Sequence, residues 1–124
     1  MDKYILIVDD SVAVRQMVGA VLGQAGYKLI EAENGIDALE KLDGRQVDLI
    51  ICDVNMPQMD GIAFLHTVKN DKAYLSYKFI MIIMLTIDST PETIESVKHE
   101  GAKAWLEKPF NPEELLDVVG KFIN

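Results

Sequence analysis

The feature that most constrains this chain is an alternation, five times over, of a short apolar run with a segment of helical periodicity. Tyr4–Val8 (YILIV) is almost continuously apolar, the pattern of a strand covered on both faces. Ser11 then suits a helix N-cap. Val14, Met17, Val18, Val21 and Leu22 follow at i, i+3, i+4, i+7 and i+8, one apolar stripe that Gly26 ends. The same reading gives a second strand over Tyr27–Ala32, a short helix over Gly35–Leu42, a third strand over Val47–Cys52 and a helix over Asp60–Lys69. Phe79–Leu85 (FIMIIML) is a strongly apolar fourth strand, Thr90–Glu100 a helix with Pro91 at its first position, and Lys103–Leu106 a short fifth strand. Asn111–Ile123 closes the chain as a helix, with Asn111 as N-cap, Pro112 at N1 and Glu114 at N3.

Five βα units without internal repeat or linker imply a parallel sheet covered on both faces by helices. Right-handed crossovers leave few topologies, and the flavodoxin-like order 2-1-3-4-5 is the natural one for five units. The expectation is therefore an α/β fold, a (βα)5 doubly wound five-stranded parallel sheet, with residues 1–124 as one domain. At this length roughly two-thirds of the unfolded chain's surface can be buried, so a core needs neither disulfide nor structural metal. Cys52 is the only cysteine, which excludes an internal disulfide and suits a reducing compartment.

Twenty acidic against twelve basic side chains leave a formal charge of −8. Nucleic-acid binding wants a basic footprint, and so does docking on an anionic membrane surface; both are disfavoured. No apolar run approaches the ~20 residues of a membrane span. Asp9 and Asp10 arrive too early for a signal peptide. A cytoplasmic location is expected.

In such a sheet, ligands bind beyond the carboxyl ends of the strands, near the point where strand order reverses. Strand one ends in Asp9 and Asp10, strand three in Asp53, strand four in Thr86, and strand five leads to Lys108. Strands one and three are expected neighbours, so Asp9, Asp10 and Asp53 should converge. Carboxylates this close repel and raise one another's pKa unless a cation lies among them. An all-oxygen donor set without histidine or cysteine points to Mg²⁺ or a similar hard cation. A carboxylate can be a phosphorylated nucleophile, a lysine offers a point charge to phosphoryl oxygens, and a threonine hydroxyl adds a hydrogen bond. Neither GxxxxGK[ST] nor GxGxxG occurs, so no nucleotide cradle is present and the phosphoryl group must come from a small donor or another protein.

IVDDS (7–11), DVNMPQMDG (53–61), MLT (84–86) and KPF (108–110), taken together, resemble the receiver domains of two-component response regulators. The resemblance spans essentially the whole chain and is closest to the single-domain, CheY-like chemotaxis type. It implies a signalling switch rather than an enzyme, one that catalyses only its own phosphorylation and dephosphorylation. Asp53 would be the phosphoacceptor. Asp10, Asp53 and the backbone carbonyl of Asn55 would bind Mg²⁺ directly, with Asp9 acting largely through a metal-bound water. Thr86 and Lys108 would hold the phosphoryl oxygens. Pro57 and Gly61 would shape the loop after the acceptor, and the Lys108–Pro109 bond would be cis.

Trp105 matches the family's switch aromatic, which is more often Tyr or Phe; Thr86 and Trp105 together would form the switch. A further departure is Ile87, where alanine is common, which would crowd the approach to Asp53. The resemblance also implies partners. A histidine kinase would donate the phosphoryl group, and a target such as a motor switch component, or a phosphatase, would meet the surface of the fourth helix, fifth strand and fifth helix. No cofactor beyond Mg²⁺ is implied, and a monomer is expected. The main alternative role is a phosphate sink or phosphorelay intermediate. A haloacid-dehalogenase-like phosphatase would want a DxD pair rather than adjacent Asp9–Asp10, and an FMN carrier a phosphate loop absent here.

Overall fold

The computed structural model describes residues 2–123. Five strands, β1 (Tyr4–Val8), β2 (Lys28–Ala32), β3 (Leu49–Asp53), β4 (Met81–Thr86) and β5 (Ala104–Glu107), form one parallel sheet in the order β2-β1-β3-β4-β5. This is the expected topology. The helices are α1 (Val12–Gln24), α2 (Gly35–Lys41), α3 (Gly61–Asn70), α4 (Pro91–His99) and α5 (Pro112–Gly120).

The sheet divides the core in two. Ile5, Ile7, Leu49, Ile51, Ile83 and Leu85 face α1 and α5, where Val18, Leu22, Leu115 and Val119 complete one apolar layer. Leu6, Val8, Ile50, Cys52, Ile82 and Met84 face the opposite way, against Ala38 of α2, Phe64, Leu65 and Val68 of α3, and Val97 of α4. Alternate residues of a strand point to opposite faces, so strands covered on both sides must be apolar throughout. Ile5–Val8 and Leu49–Cys52 are fully buried on that account. Each such aliphatic side chain contributes about 1.5–3 kcal/mol of burial.

The helix starts follow the capping residues. Ser11, Asn34, Asp60, Thr90 and Asn111 each accept a backbone N–H from the first turn that follows. At Asn111 the exchange is reciprocal, Glu114 accepting from the Asn111 N–H at 3.2 Å. Gly26, at φ 101°, takes the left-handed turn that ends α1, a conformation glycine adopts without a Cβ clash.

Several ends of β2, α2, α3, α4 and β5 differ from the sequence expectation by one residue, and four differences are larger. Residues Lys72–Tyr77 form a 3-10 helix where no element was expected. Phe79 is not in β4: it is 87% exposed, with the Lys78 ammonium 5.8 Å from its ring centroid. The sheet begins only where Met81 pairs with Leu49. Hydropathy ran unbroken through FIMIIML, but no helix covers its first residue. β3 likewise starts at Leu49 rather than Val47; Asp48 meets the start of β1, its carboxylate accepting the Tyr4 N–H at 2.7 Å and its own N–H donating to the Tyr4 carbonyl at 2.7 Å. α5 ends at Gly120, and Phe122 and Ile123 pack against the α1–α5 layer beyond it.

Candidate functional site

The ends of β1, β3, β4 and β5 meet at the switch point between β1 and β3, where chain direction after the strand turns to opposite faces. Three backbone bonds carry the ladder past the strands and fix this rim: Asp9 N–H to the Ala32 carbonyl at 3.1 Å, Val54 N–H to Leu85 at 2.9 Å, and Lys108 N–H to Thr86 at 2.8 Å. The chain can therefore place polar side chains here on a stiff frame.

Asp9, Asp10 and Asp53 converge as expected, each with a carboxylate oxygen within 4.8 Å of the others. Asp9 is fully buried, Asp53 nearly so and Asp10 exposed. Both oxygens of Asp9 are engaged, Oδ1 by the Ser11 N–H at 2.8 Å and Oδ2 by Lys108 Nζ at 2.8 Å. Lys108 Nζ also lies 3.4 Å from Asp53 Oδ1. Burial pushes the Asp53 carboxyl up to about 6, and the Asp9 charge adds to the rise, against the pull of Lys108. Burial acts to lower the Lys108 pKa, but its bond to Asp9 and the charges of Asp53 and Asp9 outweigh that, so it is raised and the ammonium is secure. The result is a buried acidic cluster short of positive charge.

The loop after Asp53 is tightly determined. A Cβ on Gly61 would collide with the Asp53 carbonyl oxygen, and the Gly61 N–H donates to Val54 at 2.8 Å. Pro57 accepts the Met59 N–H at 2.8 Å across Gln58, which holds φ 69°. Asn55 lies exposed in this loop, two residues beyond Asp53. The Lys108–Pro109 bond is cis.

Thr86 is buried beside Asp53 in register terms, since Asp53 pairs with Leu85, but its hydroxyl faces the β4–α4 loop. It donates to the Asp88 carbonyl at 2.8 Å and accepts the Asp88 N–H at 2.9 Å. The Asp88 carboxylate in turn accepts from the Thr90 N–H at 2.9 Å and the Thr93 hydroxyl at 2.8 Å. Trp105, in β5, is half-buried on the α4 side, with Lys98 Nζ 5.1 Å above its ring. Ile87 is 72% exposed and lies along a groove of about 320 Å³ with Val14, Met17, Pro109 and Phe110. It flanks the site rather than sealing it.

Two groups at this rim were not found from sequence. Arg15 of α1 donates from Nη1 to the Asp9 carbonyl at 2.6 Å and from Nε to Glu31 of β2 at 3.1 Å. The Asp88–Thr93 pair is the other. Neither lies in a motif; each is a contact between elements that only the fold creates. Away from the rim, the exposed His66 has Nδ1 2.7 Å from Glu100 Oε2, linking α3 to the end of α4.

The donor set fits a hard divalent cation: it is all oxygen and partly desolvated, and burial first, then the Asp9 charge, raises Asp53.

Comparison with known proteins agrees with this geometry. The family model "Response regulator receiver domain" matches residues 5–120. The chain is 35% identical to chemotaxis protein CheY of Bacillus subtilis over 125 aligned residues, covering 100% of each. It is 30% identical to the CAI-1 autoinducer sensor kinase/phosphatase CqsS of Vibrio cholerae, over 98% of this chain but only 18% of that protein's length. Among solved structures, Vibrio cholerae chemotaxis protein CheY4 superposes with a TM-score of 0.92 at 42% identity, over 99% of this chain and 100% of that one. Motifs, strand order and the convergence of the rim residues thus all lead to one family, and the chain belongs to the response regulator receiver domains.

Proposed function

We propose that this receiver domain takes a phosphoryl group onto Asp53 and signals through the β4–α4 loop and Trp105. The observation that carries this is the rim itself: three carboxylates within 4.8 Å, with Lys108 Nζ 2.8 Å from Asp9 and 3.4 Å from Asp53. Asp10, Asp53 and the Asn55 carbonyl would hold Mg²⁺ directly. Asp9, both of whose oxygens already accept hydrogen bonds, would meet it through water. When bound, the cation supplies positive charge against the phosphoryl oxygens.

The chain's own residues do the rest. An Asp53 oxygen forms the new O–P bond as the N–P bond of a donor phosphohistidine breaks. That electron pair stays on the imidazole, whose other ring nitrogen carries a proton, so neutral histidine leaves. Lys108 holds one phosphoryl oxygen, and Thr86 reaches another once its hydroxyl leaves Asp88. Attack of water on phosphorus later releases inorganic phosphate and restores the carboxylate. Catalysis here is positioning and charge, with no protein group needed to carry a proton away from a nucleophile that is already ionised.

A histidine kinase as donor, a chemotaxis target or a phosphatase as partner, the cytoplasmic setting and the single-domain reading of 1–124 belong to the same proposal, on the strength of the family and the similarity to CheY. The test is intact mass after incubation with Mg²⁺ and acetyl phosphate. The expected result is the gain of one phosphoryl group, absent without Mg²⁺ and absent in Asp53→Asn. An Asp53→Asn protein phosphorylated like the wild type would defeat the assignment.

A further inference from the structure

We propose that Arg15 is a positioning residue for the cation site, fixing the Asp9–Asp10 peptide so that both carboxylates face Asp53. The inference rests on reading the acidic cluster as a cation site. Asp9 has each of its polar groups committed: N–H to Ala32, Oδ1 to Ser11, Oδ2 to Lys108, and the carbonyl to Arg15 Nη1 at 2.6 Å. The Asp9 N–H belongs to the preceding peptide, so the last of these, from Arg15 to the carbonyl, is the bond that sets the plane of the peptide joining Asp9 to Asp10. Asp10 itself is exposed, so its direction depends on that plane rather than on packing around its side chain.

Arg15 is suited to this work. Its side chain is only 14% exposed, and Nε is held by Glu31 Oε1 at 3.1 Å, so the guanidinium is anchored at two points and cannot follow the peptide if it turns. Glu31 is 57% exposed, so it is the weaker of the two anchors. The arrangement stacks a carboxylate, a guanidinium and a backbone carbonyl behind the candidate ligands. Groups placed behind metal ligands in this way tune affinity by orientation.

Charge and orientation predict opposite signs, which makes the inference testable. A guanidinium near a cation site repels the cation, so if Arg15 acted only by its charge, removing it would tighten Mg²⁺ binding. If it acts by orientation, removing it weakens binding.

The experiment is the thermal midpoint of the wild type, Arg15→Ala, Arg15→Lys and Glu31→Ala, each titrated with MgCl2. The midpoint without Mg²⁺ reports folding, and its rise with Mg²⁺ gives the dissociation constant. Arg15→Ala is expected to weaken Mg²⁺ by roughly 10-fold. Arg15→Lys, which keeps one donor for the Asp9 carbonyl, should recover most of that loss, and Glu31→Ala should lose less than Arg15→Ala. Should Arg15→Ala fail to fold, Arg15→Lys still carries the comparison: its charge is unchanged, so orientation requires it to bind more weakly than the wild type. Equal or tighter Mg²⁺ binding in the folded variants overturns the inference while leaving the cation site intact. A wild type whose midpoint ignores Mg²⁺ overturns both.

Discussion

Asp53 is an acid held in a place that disfavours its charge. Burial and the Asp9 carboxylate raise its pKa from 3.8 to about 6, and Lys108 only partly compensates. The native state therefore binds a proton more tightly than the unfolded chain does. By linkage, this group favours folding below its unfolded pKa, and that contribution is lost as pH rises from about 4 through 6. Above pH 6 the ionised Asp53 lowers stability by up to about 3 kcal/mol. Asp53→Asn removes the charge and keeps the shape. Urea unfolding without Mg²⁺ should show the variant more stable than the wild type at pH 7.5, with the gap closing as pH falls towards 4. A variant no more stable than the wild type at pH 7.5 would mean that Asp53 is not under this strain. A cation would relieve the part of this strain that comes from the Asp9 charge and replace some of the solvation that burial removes, so function and instability share the same carboxylate.

At the scale of elements, the proposed function has the β4–α4 loop carry the signal. The Thr86 hydroxyl is spent twice on the Asp88 backbone, and the Asp88 carboxylate is tied to the first turn of α4 through Thr90 and Thr93. Thr86 cannot serve a phosphoryl oxygen until this chain of bonds gives way. A two-state element biased by new acceptor oxygens is the physical content of phosphorylation switching. Thr93→Val removes the bond to Asp88 Oδ2 and keeps the side chain's volume. A net hydrogen bond contributes about 1 kcal/mol, so the apparent affinity for beryllofluoride with Mg²⁺ should rise roughly five-fold. Unchanged or weaker binding would show that the Thr93 bond does not oppose the switch. At the far end of α4, Lys98 over Trp105 holds the indole where β5 meets the helix, so both ends of α4 are tied to the elements that would move.

Over the whole molecule, the sequence was legible wherever hydropathy and strand ends decide the outcome. Strands covered on both faces leave unmistakable runs such as YILIV and LIIC, and five of them with intervening helices admit one natural order. Asp9, Asp10, Asp53, Thr86 and Lys108 were legible for the same reason: each is the first or second polar residue past an apolar run. Phe79 was misread because hydropathy does not say which residue of an apolar run goes uncovered, and that depends on the 3-10 helix Lys72–Tyr77, which leaves no periodic signal over six residues. Arg15 with Glu31, and Asp88 with Thr93, escaped because their meaning lies in contacts between elements. The direction of the Thr86 hydroxyl is a choice of rotamer, and composition does not record it.

The most direct test joins the acidic rim to the only tryptophan. Emission of Trp105 should be followed as Mg²⁺ and then beryllofluoride are added to the wild type and to Asp53→Asn. The account predicts a change on adding beryllofluoride that requires Mg²⁺ and is absent from the variant, as Thr86 leaves Asp88 and the Lys98–Trp105 contact alters. Beryllofluoride bound at Asp53, shown by a raised thermal midpoint, with Trp105 emission unmoved would contradict it.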